Sequence, residues 1–114
     1  MTSGNILSGI PTGNDRGEFF DELLARPGLC IERIVSTGQS TPPGEWYDAP
    51  TGEWVMLVAG AARLLVEGEE QARTLKIGDW IDLPARCRHR VEWTLPGQQT
   101  VWLAVHYGES DVTF

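Results

Sequence analysis

The chain has 114 residues, 41% of them hydrophobic and 22% charged, which is typical of one globular domain and excludes a largely disordered chain. The formal net charge of -7 disfavours binding to nucleic acid or to an anionic membrane, because surfaces that follow phosphates need a basic excess. Two cysteines without zinc-site spacing, no basic leader and no apolar run of membrane-spanning length favour a cytoplasmic protein with free thiols.

Residues 1–28 are expected to form an arm and a short helix that pack on the remaining chain. Residues 1–14 are rich in Gly, Ser, Pro, Thr and Asn and have few apolar anchors. Asp15 followed three residues later by Glu18 is a capping-box pattern. Apolar residues then recur at helical spacing, namely Phe19, Phe20, Leu23 and Leu24. Pro27 should end this helix, because proline disfavours helical geometry in the residue before it.

Residues 29–114 form a second region, in which short strand-like segments alternate with turns marked by Gly and Pro. The predicted strands are 30–35, 54–58, 62–67, 72–77, 80–83, 86–93 and 100–107. Segment 62–67 is the expected hairpin partner of segment 54–58. Short strands at nearly regular spacing indicate an antiparallel all-β sandwich or barrel.

The segment from Arg86 to Trp93 carries the first of two histidines. Its residues alternate strictly, so His89 shares a face with the apolar side chains of this strand. A histidine in that position is either held by a structural hydrogen bond or serves as a metal ligand or proton carrier. If the connection at 95–99 closes a hairpin, His89 faces the region of His106, and in one of two registers both point inward.

The spacing of several residues resembles that of the cupin family. The second cupin motif matches Gly78, Pro84 and His89, with Arg86 where the family usually has Gly. The first motif matches Glu53 and Gly60. The resemblance covers about residues 29–107, and it is closest to a group of small, uncharacterised bacterial cupins. It implies an antiparallel double-stranded β-helix, which is the cupin jelly-roll barrel.

The chain departs from the family upstream of Glu53. The two histidines that the family carries there, one residue apart, would fall on Trp46 and Asp48. Resemblance to metal-dependent cupins still implies a divalent cation, held by Glu53 and His89, with Asp48 in place of a lost histidine and His106 as an additional ligand. Such a mixed set of imidazoles and carboxylates suits zinc, iron, manganese or nickel.

Two functions follow from this resemblance. The first is a metal-dependent enzyme that acts on a small organic molecule, with the metal as Lewis acid. The second is a non-catalytic cupin that binds a small molecule without metal, since loss of the first-motif histidines can mean loss of the ion. Asp48 would then be a turn residue.

The strand that contains Glu53 also has apolar residues on its other side, Trp54 and Met56. A sheet with two apolar faces needs cover from another sheet or another chain. A homodimer through the outer sheet is therefore expected.

Overall fold

The computed structural model describes residues 1–10 and 17–114, which contain eight β-strands. In chain order these are β1 (Phe19–Arg26), β2 (Leu29–Ser36), β3 (Gly52–Ala59), β4 (Ala62–Val66), β5 (Arg73–Leu75), β6 (Trp80–Leu83), β7 (His89–Thr94) and β8 (Thr100–Tyr107). No helix occurs among the described residues, and hence none that is long and apolar enough to cross a membrane. The all-β class predicted from the sequence is confirmed.

The predicted N-terminal helix is wrong, because residues 19–26 form β1. This strand pairs antiparallel with β2, and it supplies backbone partners to an edge that would otherwise be open. The pairing register shifts between Glu22 and Leu24, so Leu23 occupies a bulge. The extra residue interrupts the two-residue alternation of a strand, which explains why the apolar pattern resembles that of a helix. Asp15 of the expected capping box lies outside the described residues.

The strands form a five-stranded sheet, ordered β1-β2-β8-β3-β6, and a three-stranded sheet, ordered β5-β4-β7. Every pairing between these strands is antiparallel. The chain passes from one sheet to the other four times, between β3 and β4, β5 and β6, β6 and β7, and β7 and β8. Both expected hairpins are therefore wrong: β4 pairs with β5 and β7, and β7 pairs with β4 rather than β8.

The hydrophobic core lies between the two sheets. It is built from buried side chains of both, including Val55, Leu57, Leu64, Leu83, Trp102 and Ala104. Strands β3 and β8 are direct neighbours, so their inward residues pair as Leu57 with Trp102, Val55 with Ala104, and Glu53 with His106. The alternation that fills the core thus places a carboxylate beside an imidazole at one end of it.

Candidate functional site

A cavity of about 210 Å³ opens at the end of the core where Glu53 and His106 lie. Its apolar lining comes from both sheets and includes Ile34, Val55, Leu64, Leu83, Val91 and Trp102. Its polar lining consists mainly of Glu18, Glu32, Thr51, Glu53, His89 and His106. The deepest side chains are apolar, with Leu64 and Leu83 each 2% exposed, so the polar groups lie towards the mouth.

The carboxylate of Glu53 stands between the two histidines. Its Oε1 lies 3.6 Å from Nε2 of His89, and its Oε2 lies 3.5 Å from Nδ1 of His106. The other ring nitrogen of His106, Nε2, lies 3.2 Å from Oε1 of Glu32. A continuous chain of charged and polar contacts therefore crosses the cavity from β7 to β2.

His89 is held in a fixed orientation. Its Nδ1 lies 2.9 Å from the carbonyl oxygen of Cys87, to which Nδ1–H can donate, so Nε2 faces Glu53. The backbones of His89 and Tyr47 exchange hydrogen bonds of 2.8 and 3.2 Å, and their rings stack with centroids 5.4 Å apart. Burial alone would lower the pKa of His89. The hydrogen bonds to Glu53 and Cys87, together with the charge of Glu53, outweigh it and raise the pKa.

Three of the four residues predicted as metal ligands meet in this cavity, namely Glu53, His89 and His106. The fourth, Asp48, is not among the cavity-lining residues of the described chain. Its carboxylate lies 3.4 Å from Nη1 of Arg86, and the side chain is 41% exposed.

The segment before Glu53 presents alternate residues to the cavity. Tyr47, Ala49 and Thr51 line the cavity together with Glu53, as alternation in an extended chain requires. Trp46 lies outside this set, and the guanidinium of Arg88 packs 5.5 Å from the centre of its ring.

Two further acidic residues of the cavity were not predicted. Glu32 comes from β2, where it lies on the same face as Ile34. Glu18 precedes β1 and accepts a 2.8 Å hydrogen bond from the hydroxyl of Ser36, which in turn accepts one of 3.3 Å from the indole N–H of Trp102. The sequence offered one signal for Glu32, which is an acidic residue on the same face of β2 as the apolar residues Cys30 and Ile34.

The donor types at this site suit a divalent metal ion. Ligands bound at about 2.0–2.2 Å in tetrahedral geometry lie about 3.4 Å apart, close to the separations between Glu53 and each histidine. In the described parts of the chain, however, no three His, Cys, Asp or Glu side chains converge closely enough to hold an ion. Because both nitrogens of His106 face carboxylates, its ring would have to give up one of these contacts.

No protein-family model matches the chain, and no curated protein matches it. Among solved structures, a "putative mannose-6-phosphate isomerase" from Ralstonia eutropha JMP134 is 51% identical, with a TM-score of 0.90 over 94% of this chain and 98% of that one. An RmlC-like cupin from Desulfovibrio desulfuricans is 14% identical, with a TM-score of 0.74 over 94% and 96% of the two chains. KdgF from Halomonas sp. is 21% identical, with a TM-score of 0.66 over 83% of each chain.

The last two similarities concern the fold alone, whereas identity to the Ralstonia protein extends over nearly the full length of both chains. The fold of two antiparallel sheets around a cavity that opens at one end agrees with these neighbours. The chain therefore has the cupin fold, and it is related to the Ralstonia protein over nearly its full length.

Proposed function

We propose that this cupin binds a divalent metal ion through Glu53, His89 and His106 and uses the site to bind a small organic molecule. The observation that carries this proposal is the position of Glu53, whose two oxygens each face a different imidazole at 3.5–3.6 Å. Two imidazoles and one carboxylate form a donor set that suits zinc, iron, manganese or nickel. Asp48 is left out of this set because its carboxylate pairs with Arg86.

Other groups of the chain would prepare this set for an ion. The Cys87 carbonyl accepts from Nδ1 of His89, which leaves Nε2 to face the cavity, as a histidine ligand requires. Glu32 holds the ring of His106 from the other side. The apolar floor limits access of water, which strengthens electrostatic interactions at the mouth. When bound, a divalent ion supplies Lewis-acid character and lowers the pKa of a bound water.

An enzyme is the form of this function that the Ralstonia relative favours. The Ralstonia protein carries the name of a sugar isomerase, and such a reaction moves a proton next to a carbonyl group. Carboxylates can accept that proton when they lie within hydrogen-bond distance of it. Glu18 is the cavity-lining carboxylate with this capacity, since Glu32 is paired with His106 and Glu53 is assigned to the ion.

The second candidate is a cupin that binds a small molecule without metal and without catalysis. It is favoured by the contacts of the two histidines, each of which already has a carboxylate partner. The chain also has Trp46 and Asp48 where the resemblance places the two first-motif histidines, so it lacks two ligands of metal-dependent cupins. The two candidates differ in whether the folded protein retains an ion.

The metal content of protein purified without an affinity tag distinguishes the metal-binding candidate from the metal-free one. We expect about one equivalent of a divalent metal in the native protein and in Asp48→Asn, which removes a carboxylate outside the cavity. Glu53→Gln and His89→Ala should lose it. An ion at 100 times its Kd adds about 2.7 kcal/mol to the free energy of unfolding, so a chelator should lower the Tm of the native protein and not that of Glu53→Gln.

A folded protein that contains no metal, and whose Tm does not respond to added zinc, manganese, iron(II) or nickel, would support the metal-free candidate. Loss of metal in Asp48→Asn would return Asp48 to the ligand set. Retention of metal in Glu53→Gln would remove Glu53 from it.

A further inference from the structure

Acidic side chains outnumber basic ones in the lining of the cavity. Three carboxylates line it, Glu18, Glu32 and Glu53, and no Lys or Arg is among its lining residues in the described chain. Both histidines of the cavity lie within 3.6 Å of one of these carboxylates. The whole chain adds to this field through its net charge of -7.

This lining opposes a phosphorylated ligand. A phosphate monoester carries a charge of about -1.5 to -2 at neutral pH. Proteins bind such groups with Arg or Lys side chains or with helix N-termini. Neither type of group lines the cavity in the part of the chain that the structure describes. A divalent ion at the proposed site would offset two of the three carboxylate charges and would leave the lining negative.

The size and floor of the cavity favour a single ring. A cavity of about 150 Å³ lined by apolar side chains holds benzene, so 210 Å³ has room for one ring with a few substituents. The floor includes the buried side chains of Leu64, Leu83 and Trp102. Phe20 and Tyr47 add two aromatic rings to the wall. Aromatic walls bind a flat apolar body well.

We propose that the cavity binds a single-ring molecule with hydroxyl or amino substituents and no anionic group, and that it rejects phosphorylated sugars. The ring would lie on the apolar floor, and its O–H or N–H groups would donate to the carboxylates at the mouth. This inference rests on the proposed function, in that it takes the cavity as a small-molecule site, but it does not require the metal. It assigns to this chain a ligand class that differs from the one in the name of its Ralstonia relative.

Calorimetric titration with matched pairs of compounds tests the inference. The probes are 4-methylphenol against 4-methylphenyl phosphate, and mannose against mannose-6-phosphate, each with metal-free and with zinc-treated protein. We expect 4-methylphenol to bind best and its phosphate ester to bind at least tenfold more weakly in both forms. The difference in affinity should decrease as salt is added, because ions screen charges near the cavity mouth.

Variants connect this selectivity to the cavity. Glu18→Gln and Glu32→Gln should each reduce the difference in affinity between 4-methylphenol and its phosphate ester. Glu70→Gln removes the same charge from an exposed turn and should leave the difference unchanged. Ala49→Trp places an indole at a small cavity-lining position and should weaken 4-methylphenol binding at least tenfold. Circular dichroism of each variant checks that it is folded.

Equal or tighter binding of either phosphorylated compound would overturn the inference, even if the protein contains metal. So would failure of 4-methylphenol to bind at millimolar concentration, or unchanged binding in folded Ala49→Trp. If the protein holds no metal but still selects the phenol over its phosphate ester, the metal proposal fails and this inference stands.

Discussion

Among the described residues, Arg86 is the non-glycine residue with a positive φ, at 65°. It occupies the motif position where cupins usually have Gly, and glycine adopts this left-handed conformation without steric cost. Its backbone N–H donates to the carbonyl oxygen of Ala49 at 2.8 Å. The turn thus fixes the segment that leads into Cys87 and His89, the residues that present an imidazole to the cavity.

We expect Arg86→Gly to be more stable than Arg86→Ala by about 1 kcal/mol, since a side chain in the left-handed region costs about 1–2 kcal/mol. Both variants lose the guanidinium and its 3.4 Å contact with Asp48, a pair of side chains that are 67% and 41% exposed. The comparison therefore isolates the contribution of backbone conformation to stability. Urea unfolding of the two variants measures it, and an alanine variant of equal or greater stability would show that the turn relaxes.

The two thiols should differ in reactivity. Cys30 is 5% exposed, and burial raises the pKa of its thiol, with further increases from the charges of Glu22 and Glu32. Because the thiolate is the nucleophile, Cys30 should react with a maleimide at pH 8 only when the chain unfolds. Cys87 is partly exposed and lines the cavity, so it should react in the folded protein and more slowly when 4-methylphenol is bound.

Mass spectrometry after timed labelling gives the number of modified thiols. Cys87→Ser should abolish the fast modification, whereas Cys30→Ser should leave it. Fast labelling of Cys30 in the folded protein would contradict the burial of this residue.

At the scale of elements, periodicity predicted strands well and their partners poorly. Alternation shows which side chains of a strand share a face, and it correctly grouped His89 with inward residues. It does not show which sheet a strand joins, so the hairpin expected between β7 and β8 is absent and the two strands lie in different sheets. The prediction also missed β1, because a bulge at Leu23 shifts the alternation of side chains within that strand.

The turn between β3 and β4, where the chain changes sheets, should be sensitive to substitution. Gly60 has φ +85°, and a Cβ there would lie 2.7 Å from Thr100 Cα and 2.9 Å from the carbonyl oxygen of Gln99. Gly68 has φ +94° but nothing within 4 Å of such a Cβ. We expect Gly68→Ala to lose about 1 kcal/mol of unfolding free energy from backbone strain alone.

Gly60→Ala should lose at least about 3 kcal/mol, because backbone atoms of β8 must also move. Thermal unfolding by circular dichroism compares the two variants. Equal losses of unfolding free energy would mean that the turn can move away from β8 without an energetic cost.

At the scale of the whole molecule, the two sheets bring distant parts of the chain to one end of the barrel. Motif spacing predicted that Glu53 and His89 meet there, because strand lengths and turns between the motifs determine that end. Asp48, by contrast, was expected at the site and is not among the cavity-lining residues of the described chain. It lies in an irregular segment that the bridge between Tyr47 and His89 joins to β7, and spacing alone does not determine the register of such a segment.

The outer face of the five-stranded sheet carries an apolar patch on β3, β6 and β8. Trp54 and Trp80 stack there with ring centroids 5.8 Å apart, and Trp80 is 61% exposed. Met56, Leu103 and Val105 extend this face across β3 and β8, since Met56 pairs with Leu103 and Trp54 with Val105. We expect a second copy of the chain to cover it, because an antiparallel sheet tolerates one solvated face when that face is polar.

Light scattering at micromolar concentration tests this expectation, and the native protein should have twice the mass of one chain. Trp80→Glu should yield a folded monomer, because it places an uncompensated charge in the contact. Ile77→Glu, at a residue that is 67% exposed in the turn before β6, changes hydrophobicity to a similar extent and should remain dimeric. A monodisperse monomer of the native protein would show that this face is exposed to water in spite of its composition.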